Sequence, residues 1–314
     1  MNVRDKQRLQ RKRARERQLQ LIRSAIFLII GLSLTLTGLT VLFHARQKSS
    51  RRTTYAEQTS QTSQTSQSYQ AEVAPDAAEI DVSPEPDYLF TLEEMASDNP
   101  KITQILDNQS QYPQELLEML SKNNEVVDFV LDYPEKSGLK PARTIGDTIE
   151  KGTIPLLLQW DERWGYAPYG TETIVAVSGC GPTCLAMVAS GLTGDNTITP
   201  AIVADYASAN GYLDANLDTS WELMTVGCQD FGISGAMLGL DENVMANTLA
   251  TGSPIICSMS PGIFTTTGHF IVLTSYQDGA FTVHDPASKI RSSRTYTFSE
   301  FSDQIKNMWY FTEN

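Results

Sequence analysis

The spacing of apolar positions changes along this chain and divides it into regions. Residues 24–43 contain no charged side chain. A helix of that length, at about 1.5 Å per residue, matches the hydrocarbon thickness of a bilayer. In residues 86–150 apolar residues recur at helical spacing, as at Leu116, Leu117 and Leu120, and three or so short helices are predicted.

The C-terminal block, residues 151–314, mixes helical and strand patterns. It opens with a strand-like run at 154–158. Helices are predicted at 181–191, 199–210, 219–228 and 241–251, and strands at 254–259, 270–275, 280–285 and 294–298. Helices first and antiparallel strands afterwards are typical of the α+β class.

Charge is distributed unevenly and gives the apolar span an orientation. Residues 1–52 carry 13 basic and 2 acidic residues, whereas the other 262 carry 11 basic and 35 acidic ones. Nine basic residues precede the span and four follow it. The positive-inside rule therefore predicts a cytoplasmic tail at 1–23, a transmembrane helix at 24–43 and the remainder outside the cell. An acidic body repels phosphate backbones, so no nucleic-acid partner is predicted.

Two regions separate the span from the C-terminal block. Residues 44–85 include a Gln-Thr-Ser repeat and an Ala/Pro/Asp/Glu stretch, a composition that predicts a flexible linker. Residues 86–150 form the predicted helical segment, in which Asn99 and Pro100 suit a helix start. This segment is either a subdomain packed on the block or an inhibitory pro-segment, and the sequence leaves both open.

Cys180 is the strongest candidate for a nucleophile. It lies between Gly179 and Gly181, just ahead of a predicted helix with Pro182 in its first turn. Unpaired N–H groups and the positive end of the helix dipole stabilise a thiolate at such a position. The two glycines are expected to leave room for a substrate backbone.

The other cysteines fit structural roles. Cys184 and Cys257 lie in apolar surroundings and are predicted core residues, while Cys228 is either a core residue or a disulfide partner. The chain has only three histidines, no CxxC pair and no nucleotide-binding motif. We therefore predict no metal and no cofactor.

Two histidines near the end of the block are candidate bases. His269 opens a predicted strand, and His284 with Asp285 ends the next one. A three-residue loop at 277–279 pairs residues whose numbers add to 556 and puts His269 and Asp285 on one face. A two-residue turn at 278–279 gives 557, which turns Asp285 away and presents His284 instead. The local pattern does not choose, although an imidazole base needs an acceptor such as Asp285.

Four short motifs resemble the C39-like branch of the papain-fold cysteine peptidases. In chain order they are Gln159-Trp160-Asp161, Gly179-Cys180-Gly181-Pro182-Thr183, Gly268-His269-Phe270 and Asp285-Pro286. The resemblance implies that Cys180 is the nucleophile, His269 the base, Asp285 its orienting partner and Gln159 the oxyanion-hole residue. It covers about residues 155–309 and implies a papain-like fold, with a central cysteine-bearing helix against an antiparallel sheet that bears the histidine.

The resemblance also narrows the expected function. The best-known C39 members are fused to membrane transporters and cut leader peptides after a double glycine. This chain, with one predicted span, instead resembles stand-alone extracellular members of Gram-positive bacteria. The implied function is that of a membrane-anchored extracellular cysteine peptidase, whose partners are a peptide or protein substrate and the membrane. The alternatives are a cell-wall peptide amidase or endopeptidase, and a non-catalytic peptide-binding module.

Overall fold

The computed structural model describes residues 88–146 and 148–314. The predicted tail at 1–23, transmembrane helix at 24–43 and linker at 44–85 lie outside the described residues. Within the described ranges, no helix is long and apolar enough to span a bilayer. The helical segment and the C-terminal block belong to one compact unit and are described together.

The helices and strands of the described residues follow the predicted order of a helical segment and then an α+β block. The segment contains α1 (Tyr88–Ala96), α2 (Pro100–Asp107), α3 (Gln114–Lys122), α4 (Val127–Leu131) and α5 (Tyr133–Lys136). The helices of the block are α6 (Val175–Ser178), α7 (Cys180–Thr193), α8 (Pro200–Ala209), α9 (Glu242–Ala250), α10 (Lys289–Ser292) and α11 (Phe298–Phe301). Its strands are β1 (Pro168–Tyr169), β2 (Thr173–Ile174), β3 (Ile233–Met237), β4 (Ile255–Met259), β5 (His269–Gln277), β6 (Ala280–His284), β7 (Thr295–Thr297) and β8 (Ile305–Glu313). Short 3₁₀ helices lie at Gln109–Gln111, Asn124–Val126, Trp221–Met224, Gly227–Phe231 and Ser302–Gln304.

Helix α7 is the central helix of the block. Its residues from Gly181 to Gly191 are all buried, as expected for a helix that is apolar on every side. It packs against α8 and against β5 of the sheet. The helix ends at Gly194, which adopts the left-handed conformation (φ 75°) and donates its N–H to the Ser190 carbonyl.

The main sheet has six strands in the order β3-β8-β4-β5-β6-β7, and every neighbouring pair is antiparallel. Its central strands alternate between two apolar layers. Phe270 and Val272 of β5 join the layer that contains α7, whereas Ile271 and Leu273 join the layer on the other side of the sheet. The papain-like expectation of a cysteine-bearing helix packed on an antiparallel, histidine-bearing sheet therefore describes this block.

The helical segment has a core of its own that extends into the block. Asn99 accepts a hydrogen bond from the Lys101 N–H at 3.1 Å and caps α2, whose first residue is Pro100, as predicted. Tyr166 of the block stacks on Phe129 of α4 with ring centroids 4.1 Å apart, and its hydroxyl donates to the Phe129 carbonyl at 2.8 Å. The apolar side chains that build this core are Leu92, Ile102, Ile105, Leu116, Leu117, Leu120, Val126, Phe129 and Val130, together with Tyr166 and Ala176.

The block differs from the sequence prediction in several places. The predicted helix at 219–228 is replaced by the 3₁₀ helices Trp221–Met224 and Gly227–Phe231. The apolar run at 154–158 is irregular, not a strand, and Ile154 packs closely against Gly191 of α7. Strands β3 and β8 were not predicted, although β8 lies between β3 and β4 in the sheet. A short apolar run has no periodicity that separates a strand from other buried backbone, so contacts with the rest of the fold decide.

The stack between Phe129 and Tyr166 provides a test of the packing of the segment. Phe129 is 5% exposed, and Phe129→Ala should lower the free energy of unfolding by about 3–5 kcal/mol because it leaves a cavity between segment and block. Denaturant unfolding measures this change. Phe90→Ala is the matched control, since Phe90 of α1 is 59% exposed, and it should change stability by less than about 0.5 kcal/mol. Equal effects of the two variants would contradict the packing described here.

Candidate active site

The candidate nucleophile, Cys180, is the first residue of α7 and is partly exposed. The flanking glycines have a packing reason that differs from the predicted one. A Cβ on Gly181 would lie 2.7 Å from Thr219 Oγ1, and a Cβ on Gly179 would lie 2.4 Å from the Val175 carbonyl oxygen. The space beside both glycines is therefore filled by protein rather than kept for substrate.

His269 and Asp285 form a buried pair beside Cys180. The imidazole Nε2 lies 2.8 Å from Asp285 Oδ1, and Cys180 lies close enough to the same imidazole to raise its pKa. Because Asp285 occupies Nε2, the nitrogen left for the thiol is Nδ1. His269 is 8% exposed and Asp285 is fully buried. The imidazole thus lies between a carboxylate and a thiol, as an acid–base group requires.

The electrostatics of the site favour the ionised forms of both His269 and Asp285. Burial by itself lowers the pKa of His269, but Asp285 and Cys180 outweigh burial and raise the pKa to about 10. Burial by itself raises the pKa of Asp285, but His269 and Arg291 outweigh it, and the net pKa is lowered. Asp285 is therefore a carboxylate and His269 an imidazolium at neutral pH, and the imidazolium is lost only as the pH rises through about 10.

The hairpin between β5 and β6 combines the two registers that the sequence left open. Next to the turn, Gln277 pairs with Ala280, which is the two-residue turn at 278–279. Asp278 and Gly279 both have positive φ there (51° and 79°), as a tight hairpin turn requires. A bulge at Thr274 then shifts the pairing, so that Leu273 faces Val283.

The bulge has a direct consequence for the site. Beyond it the paired numbers add to 556, the register that the sequence analysis associated with His269 and Asp285 sharing a face. The turn itself is the two-residue alternative, and His269 and Asp285 meet at 2.8 Å as the 556 register allows. His284 is not part of this pair, and burial lowers its pKa.

Gln159 approaches the pair from the loop after residue 158. It is 5% exposed, and its Nε2 donates to the Ala176 carbonyl at 2.6 Å. A weaker contact of 3.5 Å joins Nε2 to the Val177 carbonyl. The Gln159 backbone N–H donates to the Pro286 carbonyl at 2.8 Å, which ties this loop to the turn after Asp285. Gln159, Cys180 and His269 line one cavity, so the structure brings all four predicted site residues together.

Two residues that the sequence analysis did not single out also belong to the site. Arg291 of α10 donates through Nε to Asp285 Oδ2, and the Ala287 N–H donates to Asp285 Oδ1 at 2.8 Å. Both lie close to Asp285 in the chain. No local motif marks them, because a basic residue six positions from an acidic one is ordinary at a protein surface.

Open space adjoins Cys180 and His269 on two sides. One cavity, of about 470 Å³, is bounded by Trp160, by the loop 262–268 and by α3 of the helical segment. The other, of about 720 Å³, is bounded by the loop 214–221 and by Lys306. An extended chain can therefore lie across the cysteine–histidine pair. Of the aromatic residues near Gln159, Trp160 lines the first cavity, whereas Trp164, Tyr166 and Tyr169 are buried.

The remaining cysteines have a different environment from Cys180. All four are free thiols, so Cys228 is a buried core residue and not a disulfide partner. Burial raises the pKa of Cys184, of Cys228 and of Cys257, which keeps them protonated. Among the described residues, no group of three or more His, Cys, Asp or Glu side chains is arranged to hold a metal ion.

Comparisons with known proteins place this geometry in a family. Residues 151–312, just over half of the chain, match the Peptidase_C39 like family. The peptidase domain of Streptococcus ComA, described as a bifunctional ABC transporter of a quorum-sensing pathway, is 15% identical. That match covers 44% of this chain and 93% of that one, with a TM-score of 0.34. A Bacillus anthracis protein described as a C39-like peptidase is 12% identical, and its match covers 54% of this chain and 99% of that one, also with a TM-score of 0.34.

No curated protein matches the chain. Both structural scores lie below 0.5, so the assignment follows from the family match. That match contains Gln159, Cys180, His269 and Asp285. The chain belongs to the Peptidase_C39 like family.

Proposed function

We propose that the chain is a membrane-anchored extracellular cysteine peptidase in which Cys180 is the nucleophile and His269 the general acid–base. Asp285 orients the imidazole, and Gln159 stabilises the oxyanion. The observation that carries the proposal is the position of the His269 ring, which Asp285 holds at 2.8 Å on one nitrogen and which lines the same two cavities as Cys180. Family membership supports a cysteine peptidase in general.

The acylation step uses a Cys180 thiolate and the His269 imidazolium. The Cys180 thiolate attacks the carbonyl carbon of the scissile peptide bond, and the carbonyl oxygen becomes an oxyanion. The His269 imidazolium then gives its proton to the leaving nitrogen, the C–N bond breaks, and a thioester remains on Cys180. Asp285 stays ionised throughout and stabilises the imidazolium.

Deacylation reverses the proton transfer. Neutral His269 takes a proton from a water molecule, the resulting hydroxide attacks the thioester carbon, and the C–S bond breaks. The products are a carboxylic acid and the restored pair of Cys180 and His269. No oxidant or metal is required by this cycle, because each step moves only protons and electron pairs.

Gln159 is well placed to act on the oxyanion. Its Nε2 carries two hydrogens, and the Ala176 carbonyl accepts one at 2.6 Å. The 3.5 Å contact with the Val177 carbonyl is long, and an oxyanion is a better acceptor for the second hydrogen. A donor held in advance in a buried position stabilises the transition state without reorganisation.

The location of the enzyme is proposed from the sequence. The apolar span at 24–43 would anchor the chain, the basic excess before it would keep residues 1–23 in the cytoplasm, and residues 44–314 would lie outside. The two cavities beside the cysteine–histidine pair support an extended peptide or protein substrate. Cell-wall peptides are one class of such a substrate. The alternative function, a peptide-binding module without catalytic turnover, is distinguished by the experiments that follow.

The first test is the alkylation rate of Cys180 by iodoacetamide as a function of pH, read by peptide mapping. Wild-type Cys180 should react well below pH 8, and His269→Ala should slow it at least about tenfold near neutral pH because the thiolate loses its imidazolium. His284→Gln is the matched control, since His284 is a neighbouring histidine that lines neither cavity beside Cys180. Reaction no faster than that of a free thiol would favour a binding module.

The second test is Asp285→Asn, measured as hydrolysis of a quenched fluorescent peptide library between pH 5 and 11. The substitution removes the charge that holds the imidazolium, so the pKa of His269 should fall from about 10 and the alkaline limb of the activity should move to lower pH. We expect kcat to drop by roughly 10²–10⁴-fold. An unchanged alkaline limb would contradict the assigned role of Asp285.

The third test separates the oxyanion role of Gln159 from the cysteine–histidine pair. Gln159→Ala should lower kcat for the peptide library about 10²–10³-fold with a small effect on KM. Its alkylation by iodoacetamide should stay close to the wild-type rate, because alkylation forms no oxyanion. A parallel loss of both activities would assign Gln159 to folding of the site instead.

A further inference from the structure

The turn that follows Asp285 is held by the helical segment. Glu125, in the 3₁₀ helix after α3, accepts hydrogen bonds from the Ser288 hydroxyl and from the backbone N–H groups of Lys289 (2.8 Å) and Ile290 (3.3 Å). Asn123 donates from Nδ2 to the Ala287 carbonyl at 2.7 Å. Four contacts from more than 160 residues away thus converge on residues 287–290.

This turn sets the position of the Asp285 carboxylate. The Asp285 backbone N–H donates to Ser292 Oγ at 2.8 Å, and its Oδ1 accepts from the Ala287 N–H at 2.8 Å. Arg291, in α10, which begins within the turn, pairs with Oδ2. Every one of these partners moves with the turn, so a displaced turn would displace the carboxylate that holds His269.

The same segment forms one side of the site. Glu115, Glu118 and Lys122 of α3 line the cavity that also contains Gln159, Cys180 and His269. The family match begins at residue 151, downstream of Glu115, Glu118 and Lys122. One side of this cavity therefore comes from a part of the chain that the family match does not include.

We propose that residues 88–137 are a working part of the active site, in which Glu125 and Asn123 act as positioning residues for Asp285 through the turn 286–290. This inference rests on the proposed function and deepens it. It opposes the pro-segment alternative. Removal of an inhibitory segment activates an enzyme, whereas removal of this segment would remove the hydrogen bonds that position the turn and would lower activity.

The effect of Glu125 on His269 must pass through the turn. The titratable and charged groups that interact electrostatically with the pair include Cys180 and Cys184 from α7, and Arg291 and Tyr296 from the region after Asp285. The charged groups that the helical segment brings to the cavity are Glu115, Glu118 and Lys122. Glu125 bonds to Ser288, Lys289 and Ile290 and to neither member of the pair.

The test is an NMR titration of the full-length chain with ¹³C-labelled histidine, since the chain has only three histidines to resolve. In Glu125→Ala the titration midpoint of His269 should fall from about 10 by about one unit or more, while His284 keeps its wild-type behaviour. Hydrolysis of the peptide library should show kcat lowered about ten- to a hundredfold with KM changed less. Glu125→Gln keeps one acceptor oxygen and should lie between wild type and Glu125→Ala.

Glu135→Ala is the matched control, because Glu135 is an exposed carboxylate on α5 of the same segment. Asn123→Ala, which removes one hydrogen bond, is a milder variant should Glu125→Ala unfold. A wild-type His269 midpoint in Glu125→Ala and Asn123→Ala, or an equal shift in Glu135→Ala, would overturn the proposal. The titration requires no turnover, so an inactive wild-type chain would count against the proposed function and leave this readout intact.

Removal of the segment gives a second, independent outcome. A protease site inserted between Leu139 and Lys140, both exposed, allows the purified full-length chain to be cut after the segment. Cleavage and removal of the segment should lower library hydrolysis at least about tenfold. A rise in hydrolysis would overturn the proposal and favour the pro-segment.

Discussion

The fully buried carboxylate of Asp285 is the constraint on which the rest of the site depends. An ionised carboxylate away from water is costly unless charged or hydrogen-bonding partners surround it. His269, Arg291 and the Ala287 N–H provide those partners. Each partner in turn needs a fixed backbone, because a shift of 1 Å would break a hydrogen bond of 2.8 Å. The buried charge therefore requires fixed positions for the hairpin, for the turn after it and for the residues that contact that turn.

The carbonyls of that turn connect three separate parts of the chain. Ala287 accepts from Trp160 Nε1 at 2.9 Å and from Asn123 Nδ2 at 2.7 Å, and Pro286 accepts from the Gln159 N–H at 2.8 Å. The turn therefore holds the Gln159 loop and the helical segment in register with Asp285. Buried polar networks of this kind are stable only when every member has a partner, and they specify one arrangement for that reason.

Much of the site was predictable because its signals are local. Glycines and a proline around Cys180 indicate a loop entering a helix, and the apolar run after His269 indicates a strand, whatever the rest of the chain does. The run at 154–158 was mispredicted because it is as apolar as a strand but packs against α7 without a strand partner. The glycines beside Cys180 were assigned the wrong purpose, since only the fold shows that Val175 and Thr219 fill the space next to them.

The sequence by itself determined the helix that starts at Cys180 and the strand that starts at His269, because helix starts and strand periodicity are properties of a few neighbouring residues. The set of Gln159, Cys180, His269 and Asp285 followed from four short motifs that resemble a known family. Only the tertiary structure decided the register that joins His269 to Asp285. The turn at 278–279 alone would set the other register, and the bulge at Thr274 reverses it through pairing between β5 and β6. The contact of Glu125 with Ser288 is likewise visible only in the tertiary structure, since a hydrogen bond between residues 163 positions apart leaves no local pattern in the chain.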